Sequence, residues 1–280
     1  MDGMRIFEVN VDRPLRAPVL VVCLNGWVNA GGVATLVAET LGGDQIGEGR
    51  SDLLFDYRVS RPMLDFVDGV MTSLVWPELV IRRLALDDWD LIVMSGVEPN
   101  WNWRRLGAEV SELAIEWKVR QQISIGGIPW AWPHTREVPI ISAASDQSLL
   151  TGDEDHARGL LRVPAAAVSA LDFLVAGAGI PTVGFYARVP QYVSVAYPAA
   201  ALAVIRRLER HLEQALPTGT LAEAADAQRK DLDTVASQRP DLAEAVQKLE
   251  SMVDATESVS GEQLAAEIER FLREQGNQQP

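Results

Sequence analysis

The stretch VLVVCLNGWVNAGGVATLVAETL, residues 19–41, decides the fold class, because it predicts a buried strand, a glycine-rich loop and a helix in succession. The run VLVVC is apolar on both faces, which is typical of a strand inside a parallel sheet. A helix is predicted over residues 30–41, with Asn29 as its N-cap. The stretch is therefore the first half of a strand-helix-strand unit.

The loop in this unit resembles half of a phosphate-binding loop. Gly26 and Gly31 are five residues apart, like the first two glycines of G-x-x-x-x-G-K-[ST]. That motif continues with a lysine and a hydroxyl residue, whereas this chain has Gly32 and Val33. The glycines are therefore expected to form a tight turn and allow close helix packing, and a role in holding phosphate is disfavoured.

Strand and helix patterns alternate outward from this unit as far as about residue 216. Further strands are predicted at residues 91–95, 119–125, 138–145 and 182–187. Residues 79–86 fit either element type and favour a strand. Helices are predicted at residues 103–117, 165–178 and 198–215. Almost strict alternation predicts a three-layer α/β/α sandwich with a mostly parallel sheet, forming an α/β domain over residues 1–216.

The composition changes beyond residue 216. Residues 217–275 predict a C-terminal helical extension, because they contain no strand pattern and only one aromatic residue, Phe271. Apolar residues such as Leu242, Val246 and Leu249 recur at spacings of three and four, enough for one narrow buried stripe. The extension is expected to dock on the α/β body or on a partner. Residues 276–280 are expected to be disordered.

Composition excludes several functional classes. The 280 residues carry 39 acidic and 25 basic side chains, a formal net charge of −14, which disfavours binding to nucleic acid or anionic membranes. The single cysteine, Cys23, lies in the first predicted strand, where a buried packing role and a reducing cytoplasm are expected. The sequence shows neither an export signal nor an apolar run long enough to span a membrane.

The loops after the predicted strands hold the candidate binding residues, because ligands of open parallel sheets bind beyond the carboxyl ends of the strands. These loops are rich in glycine, proline and tryptophan, and four tryptophans are expected to converge and wall a pocket or form an interface: Trp27, Trp101, Trp130 and Trp132. The candidates are Gly26, Trp27, Asn29, Gly31, Glu98, Trp101, Gly127, Trp132, His134, Arg136 and Tyr192.

No catalytic or metal-binding set is predicted from these residues. His134 beside Arg136 fits a general base with an anion clamp, but a loop histidine held by backbone hydrogen bonds is the more frequent arrangement. Glu98 fits an acid group, a helix cap or a salt bridge. The three histidines form no H-x-x-x-H or H-E-x-x-H motif, and C-x-x-C is absent. We therefore expect neither a metal nor a cofactor.

The ordered loops resemble the proteasome assembly chaperone 2 family, and more closely its actinobacterial branch, often labelled an ATP-grasp superfamily protein. The resemblance spans roughly residues 15–235, and the stretch ISIGGIPWAWPHTREVPI is its most specific part. The other signatures are GWVNAGGVA, FDYRVSRP, WDLIVMSGVEPNWNW and ARVPQYVSVAYPAAA. The resemblance implies a three-layer fold similar to purine nucleoside phosphorylases. The lysine pair and acidic magnesium couple of an ATP-grasp site are not found.

The resemblance also implies a function. Eukaryotic and archaeal relatives are non-catalytic chaperones that bind proteasome α subunits, partly through a C-terminal hydrophobic-tyrosine-any motif. This chain ends in GNQQP without such a tyrosine, so insertion of the tail is not expected. Asn29 stands where the family pattern has aspartate, which keeps the cap but removes a charge.

Three functions remain open on the sequence. The first is a non-enzymatic cytoplasmic assembly chaperone or interaction protein, with proteasome α-type subunits as the candidate partner. The second is a binder or enzyme for a nucleoside- or nucleotide-related small molecule in the strand-end crevice. The third is a self-assembling scaffold. A homo-oligomer is expected, with a trimer as the stoichiometry.

Overall fold

The structure is a computed structural model that describes residues 4–150 and 155–255. Its strands, in chain order, are β1 (Phe7–Val9), β2 (Val19–Asn25), β3 (Asp44–Gly49), β4 (Met63–Val67), β5 (Val70–Val75), β6 (Leu79–Ala85), β7 (Asp90–Val97), β8 (Gln121–Trp130), β9 (Ile140–Ala144), β10 (Asp155–His156) and β11 (Thr182–Pro190). Its helices are α1 (Val33–Leu41), α2 (Ser51–Leu54), α3 (Trp103–Glu116), α4 (Ala167–Gly177), α5 (Pro198–Leu212), α6 (Leu221–Gln238) and α7 (residues 240–255).

One large mixed sheet forms the middle layer. Its strand order is β1-β3-β6-β7-β2-β8-β11-β9-β10, and the four central strands β7, β2, β8 and β11 are parallel. β6 pairs antiparallel with β7 because the turn between them is too short for a crossover. β9 likewise runs antiparallel to β11. The predicted strand at 79–86 is confirmed, and the parallel arrangement holds for the centre of the sheet.

Helices cover both faces of this sheet, which confirms the three-layer sandwich. Side chains of β2 alternate between the faces, so that Val21 packs on the side of α1 and α5, and Val22 packs on the side of α3 and α4. Every residue from Val19 to Leu24 is buried. The apolar run VLVVC predicted a strand buried on both faces, and this burial confirms it. Cys23 is buried in the same strand.

The start of α1 differs from the prediction. A 3-10 turn over Ala30–Gly32 precedes the helix, and Gly31 and Gly32 have φ values of 62° and 61°. The residue at the N-cap position is therefore Gly32. Asn29 still caps the helix, because its Oδ1 accepts the backbone N–H of Ala34 at 2.7 Å. The glycines insert one additional turn between the capping side chain and the helix.

The C-terminal helices dock on the α/β body. α6 packs against α5, with Leu221 buried and Leu232 partly buried against the core. In α7, Val246 and Val253 of the predicted apolar stripe are buried. The predicted extension beyond residue 255 and the predicted disordered tail lie outside the described residues. Within the described ranges, no helix has the length and apolar character needed to cross a bilayer.

A polar cluster lies between α4 and the sheet, where apolar packing is the rule. Gln122 and Ser124 of β8 donate hydrogen bonds of 2.8 and 2.6 Å to Oδ1 of Asp172 on α4. Burial raises the pKa of Asp172 to about 7, although these two hydrogen bonds lower it. The folded protein therefore holds this carboxyl partly protonated near neutral pH.

We predict that the variant Asp172→Asn gains stability relative to the wild type as the pH rises. Between the unfolded pKa near 4 and the folded pKa, the unfolded wild type releases a proton that the folded wild type retains, so wild-type stability falls with pH. Asparagine keeps the accepting Oδ1 and does not titrate. Chemical denaturation should show the difference between variant and wild type growing by about 1–3 kcal/mol from pH 5 to pH 8. A constant difference across this range would contradict the assignment.

Candidate functional site

Glu98 joins the strand ends of the central sheet. Its Oε2 accepts the backbone N–H of Trp27 at 2.6 Å, and its Oε1 accepts the backbone N–H of Ala167, in the first turn of α4, at 2.6 Å. Its own N–H donates to the carbonyl of Asn25 at the end of β2, at 2.9 Å. One carboxylate therefore connects the loop after β2, the loop after β7 and the start of α4.

Gly26 is required for this arrangement. A Cβ atom at position 26 would overlap the carboxylate of Glu98. The glycine predicted as part of a tight turn therefore makes room for the side chain that holds the turn. This explains a glycine at this position without a phosphate ligand.

Two exposed tryptophans lie at the loops that Glu98 connects. Trp27 is 76% exposed and Trp101 is 44% exposed, although the backbone of Trp27 is fixed by Glu98. Both line an open concavity of about 520 Å³, which we call the tryptophan pocket. Its lining residues are Trp27, Asp56, Val59, Glu98, Pro99, Asn100, Trp101, Trp103, Pro164 and Ala165. Most of the lining residues are apolar, and the two charged ones, Asp56 and Glu98, are acidic.

Asp56 supplies a permanent negative charge to the tryptophan pocket. Arg58 donates a side-chain hydrogen bond to Asp56 at 2.8 Å, and this contact lowers the pKa of Asp56 to about 2. The carboxylate therefore remains ionised at neutral pH. Arg58 balances this charge, so Glu98 is the carboxylate of the lining without an ion pair to a described residue.

A second concavity lies on the other side of the same loop. This glycine-loop pocket has a volume of about 620 Å³ and is lined by Asn29, Gly31 and the segment that leads from β11 to α5. The carbonyl of Gly31 accepts the N–H of Tyr197 at 2.8 Å, which ties the loop to α5. Gly127 of β8 pairs with Asn29 and leaves no room for a Cβ beside the carbonyl of Ala30.

The linings of the two pockets contain no histidine, cysteine, lysine or arginine. A thiol nucleophile or an anion clamp would need one of these side chains. The ionisable side chains of the linings are the carboxylates Asp56, Glu98 and Glu39. The arrangement therefore offers shape, aromatic surface and hydrogen bonds to a binding partner.

The structure places His134 away from both pockets. His134 is 4% exposed, and its Nδ1 lies 2.7 Å from the hydroxyl of Tyr192, which also accepts the N–H of His134. Its Nε2 lies 3.1 Å from Oδ1 of Asp233 on α6. Burial raises the pKa of Tyr192. His134 thus links its loop to α6 through side-chain contacts, whereas the more frequent arrangement holds a loop histidine by backbone hydrogen bonds.

Arg136 has a similar role for α7. Its guanidinium donates to Asp254 at 2.9 Å and lies 3.5 Å from Glu250, and Thr135 also donates to Glu250. We call His134, Thr135, Arg136 and Tyr192, with their three acidic partners, the docking cluster. The Pro-His-Thr-Arg stretch, expected to line the strand-end crevice, lies outside the two strand-end pockets and holds the C-terminal helices on the body.

The remaining tryptophans do not complete a single wall. Trp132 donates from Nε1 to the carbonyl of Glu137 at 2.9 Å within its own loop. Trp130 lies in β8 and stacks under Arg188, whose Cζ is 4.5 Å from the ring centroid. Of the four tryptophans expected to converge, the structure therefore brings Trp27 and Trp101 together.

Several site residues escaped sequence reasoning. Trp103, Val59 and Asp56 line the tryptophan pocket but did not follow a predicted strand directly. The signature FDYRVSRP contains two of them and was the available signal. Asp233 and Asp254 of the docking cluster lie in helices whose acidic residues look like an ordinary solvated face.

The fold and site define an α/β sandwich protein with a fixed aromatic surface at its strand ends. A sequence model of the PAC2 family matches residues 23–236. The chain therefore belongs to the PAC2 family. No curated protein matches it at a significant level.

Solved structures of similar proteins share this fold. A Mycobacterium tuberculosis protein of unknown function is 30% identical, with a TM-score of 0.86 and coverage of 92% of each chain. A proteasome-assembly chaperone homologue from the same organism is 32% identical, with a TM-score of 0.73 over 81% of this chain and 99% of that one. A PAC2 family protein from Streptomyces avermitilis is also 32% identical, with a TM-score of 0.71 over 82% and 99%.

Proposed function

We propose that this protein is a cytoplasmic assembly chaperone that binds proteasome α-type subunits through the tryptophan pocket. Family membership and the similarity to a proteasome-assembly chaperone homologue support a protein partner of this kind. The chain carries 14 more negative than positive formal charges, which favours a partner that presents a basic rim.

The exposure of Trp27 is the observation that carries this proposal. A side chain that is 76% exposed contributes little to folding, yet its backbone is fixed by a hydrogen bond to a carboxylate. An exposed tryptophan on a fixed backbone is well suited to bind a protein partner, because it offers a large aromatic surface and little backbone entropy is lost on binding. Trp101 in the same pocket extends the apolar surface.

The alternative of a small-molecule enzyme has weaker support. A site of that kind would need Gly26, Trp27 and Glu98 to share one crevice with His134 and Arg136. His134 and Arg136 instead bind acidic residues of α6 and α7. The tryptophan pocket and the glycine-loop pocket have no cationic side chain in their linings. A nucleotide phosphate would find no counter-charge there.

We predict that Trp27→Ala combined with Trp101→Ala reduces capture of proteasome α subunits at least tenfold. Each substitution removes a large exposed aromatic surface, and losses of 1–2 kcal/mol per anchor residue are typical. The tagged protein is purified from a native lysate under low salt, and co-purified proteins are quantified by mass spectrometry.

The matched control for this experiment is Phe173→Ala. Phe173 is 81% exposed on α4 and does not line the tryptophan pocket. Its substitution should leave capture unchanged. Absence of proteasome subunits from the wild-type sample, together with normal proteasome levels in a deletion strain, would refute the proposed function. Equal capture by the double tryptophan variant would refute the proposed surface.

A second function, self-assembly, is favoured by the hairpin of β4 and β5. These strands pair with each other and form a separate two-stranded sheet. Their large apolar side chains are between 41% and 68% exposed: Met63, Leu64, Phe66, Val67, Val70, Met71, Leu74 and Val75. Apolar side chains on both faces of one hairpin are exposed to water.

A second copy of this chain is the proposed partner for the hairpin. An isolated two-stranded hairpin is marginally stable in water, and contiguous exposed apolar surface of this size indicates an interface. Pairing with the same surface of a neighbouring copy, or with a ring of copies, buries both faces at once. The hairpin turn Asp68-Gly69 is polar and can remain in solvent.

We predict that Phe66→Ser combined with Met71→Ser converts the assembly into monomers. Both side chains are at least 60% exposed, so the substitutions should change the unfolding free energy of the monomer little. Light scattering coupled to size-exclusion chromatography at micromolar concentration measures the outcome. The control is Ile115→Ser with Phe173→Ser, two exposed apolar residues of α3 and α4. A wild-type monomer, or a double hairpin variant of unchanged mass, would contradict self-assembly through the hairpin.

A further inference from the structure

A third concavity lies between α5, α6 and β9, away from the strand ends. It has a volume of about 390 Å³, and four arginines line it: Arg136, Arg206, Arg210 and Arg229. Only two carboxylates, those of Glu137 and Asp226, share the lining. We call this concavity the arginine pocket. Arg136 already pairs with Asp254 and Glu250, and Arg229 lies near Asp233, so Arg206 and Arg210 carry the charge that is available to a ligand.

Arg206 and Arg210 are the decisive residues of the pocket. They are one turn apart on α5 and therefore lie on the same face of the helix. Both are exposed, and neither forms a hydrogen bond or ion pair with any residue in the described ranges. Some exposed arginines, such as Arg58 and Arg239, pair with a nearby aspartate, whereas others do not. Arg206 and Arg210 are distinguished by lying one turn apart in the lining of one concavity. Two neighbouring guanidinium groups are thus left without a counter-charge in an acidic protein.

The opposite wall of the pocket comes from the C-terminal extension. Arg229 lies on α6, and its contact with Asp233 is long, at 3.9 Å. Arg136 reaches the pocket from the docking cluster. An anion placed between these walls would contact guanidinium groups of both the α/β body and the extension.

Apolar residues complete the lining. Val138, Ile140, Tyr197, Leu202 and Leu232 lie beside the arginines. The volume of about 390 Å³ is within the range of small-molecule sites, which are typically apolar with a few convergent polar groups. A macromolecular surface is expected to be flatter and larger.

We propose that the arginine pocket binds a phosphorylated small molecule that carries at least two negative charges. Guanidinium groups form paired hydrogen bonds with phosphate oxygens, and a phosphate dianion concentrates more charge in one group than a carboxylate does. The ligand bridges α5 and α6 and adds to the contacts of the docking cluster. This site is independent of the proposed function at the tryptophan pocket.

Inorganic pyrophosphate is the probe for this site. Isothermal titration calorimetry with the full chain should give a dissociation constant below 1 mM for the wild type at low salt, and binding should weaken as sodium chloride is added. The variant Arg206→Gln with Arg210→Gln should bind at least tenfold more weakly. Both side chains are exposed, and circular dichroism and thermal denaturation verify that the variant is folded.

The matched control is Arg61→Gln with Arg104→Gln. These two arginines are also exposed, form no ion pair with a described residue and lie outside the pocket, so the net charge changes equally. The control should retain wild-type affinity. An equal loss in the control would show a general charge effect and overturn the site. Absence of pyrophosphate binding by the wild type at millimolar concentration, unchanged affinity of the pocket variant, or tighter binding of citrate would also overturn the proposal.

Discussion

The carboxylate of Glu98 is the contact on which the strand-end surface depends. Its two oxygens accept N–H groups from Trp27 and Ala167, which belong to chain segments 71 and 69 residues away. Hydrogen bonds to a charged acceptor contribute about 1.5–3 kcal/mol each, more than neutral ones. Because both donors are backbone groups, Glu98 fixes the loop itself and leaves the Trp27 side chain free. The exposed aromatic surface and the start of α4 are therefore positioned by one residue.

The fold was largely predictable because its main signals are local. The run VLVVC and the helical pattern after it need only neighbouring residues to be recognised, and the three layers follow from their alternation. β3 was missed because its sequence DQIGEG carries little apolar signal. The hairpin of β4 and β5 did carry one, the dipeptide Asp68-Gly69 between apolar runs, which is a strong turn signal. The exposure of the hairpin has no such local signal, because it depends on whether another element of the fold covers the hairpin. No element of the described chain does so.

The residues of the candidate site could be predicted better than their arrangement in space. Glu98, Trp27 and Trp101 were found because they follow the carboxyl ends of strands, where the fold class places a crevice. His134 and Arg136 were identified by residue type, but their acidic partners Asp233 and Asp254 lie 99 and 118 residues further along the chain. Sequence patterns cannot reveal which distant helix covers a loop. These distant partners determine whether such a side chain stabilises the fold or is available to a ligand.

Hydrogen exchange at the amides of Trp27 and Ala167 tests the central role of Glu98 most directly. In the wild type both amides should exchange slowly despite their position in a surface loop and at a helix start. The substitution Glu98→Ala should accelerate both by roughly ten- to a hundredfold, in keeping with the loss of one charge-assisted hydrogen bond each. Amides within β2 should keep their protection. Unchanged protection of Trp27 and Ala167 in the variant would contradict the account.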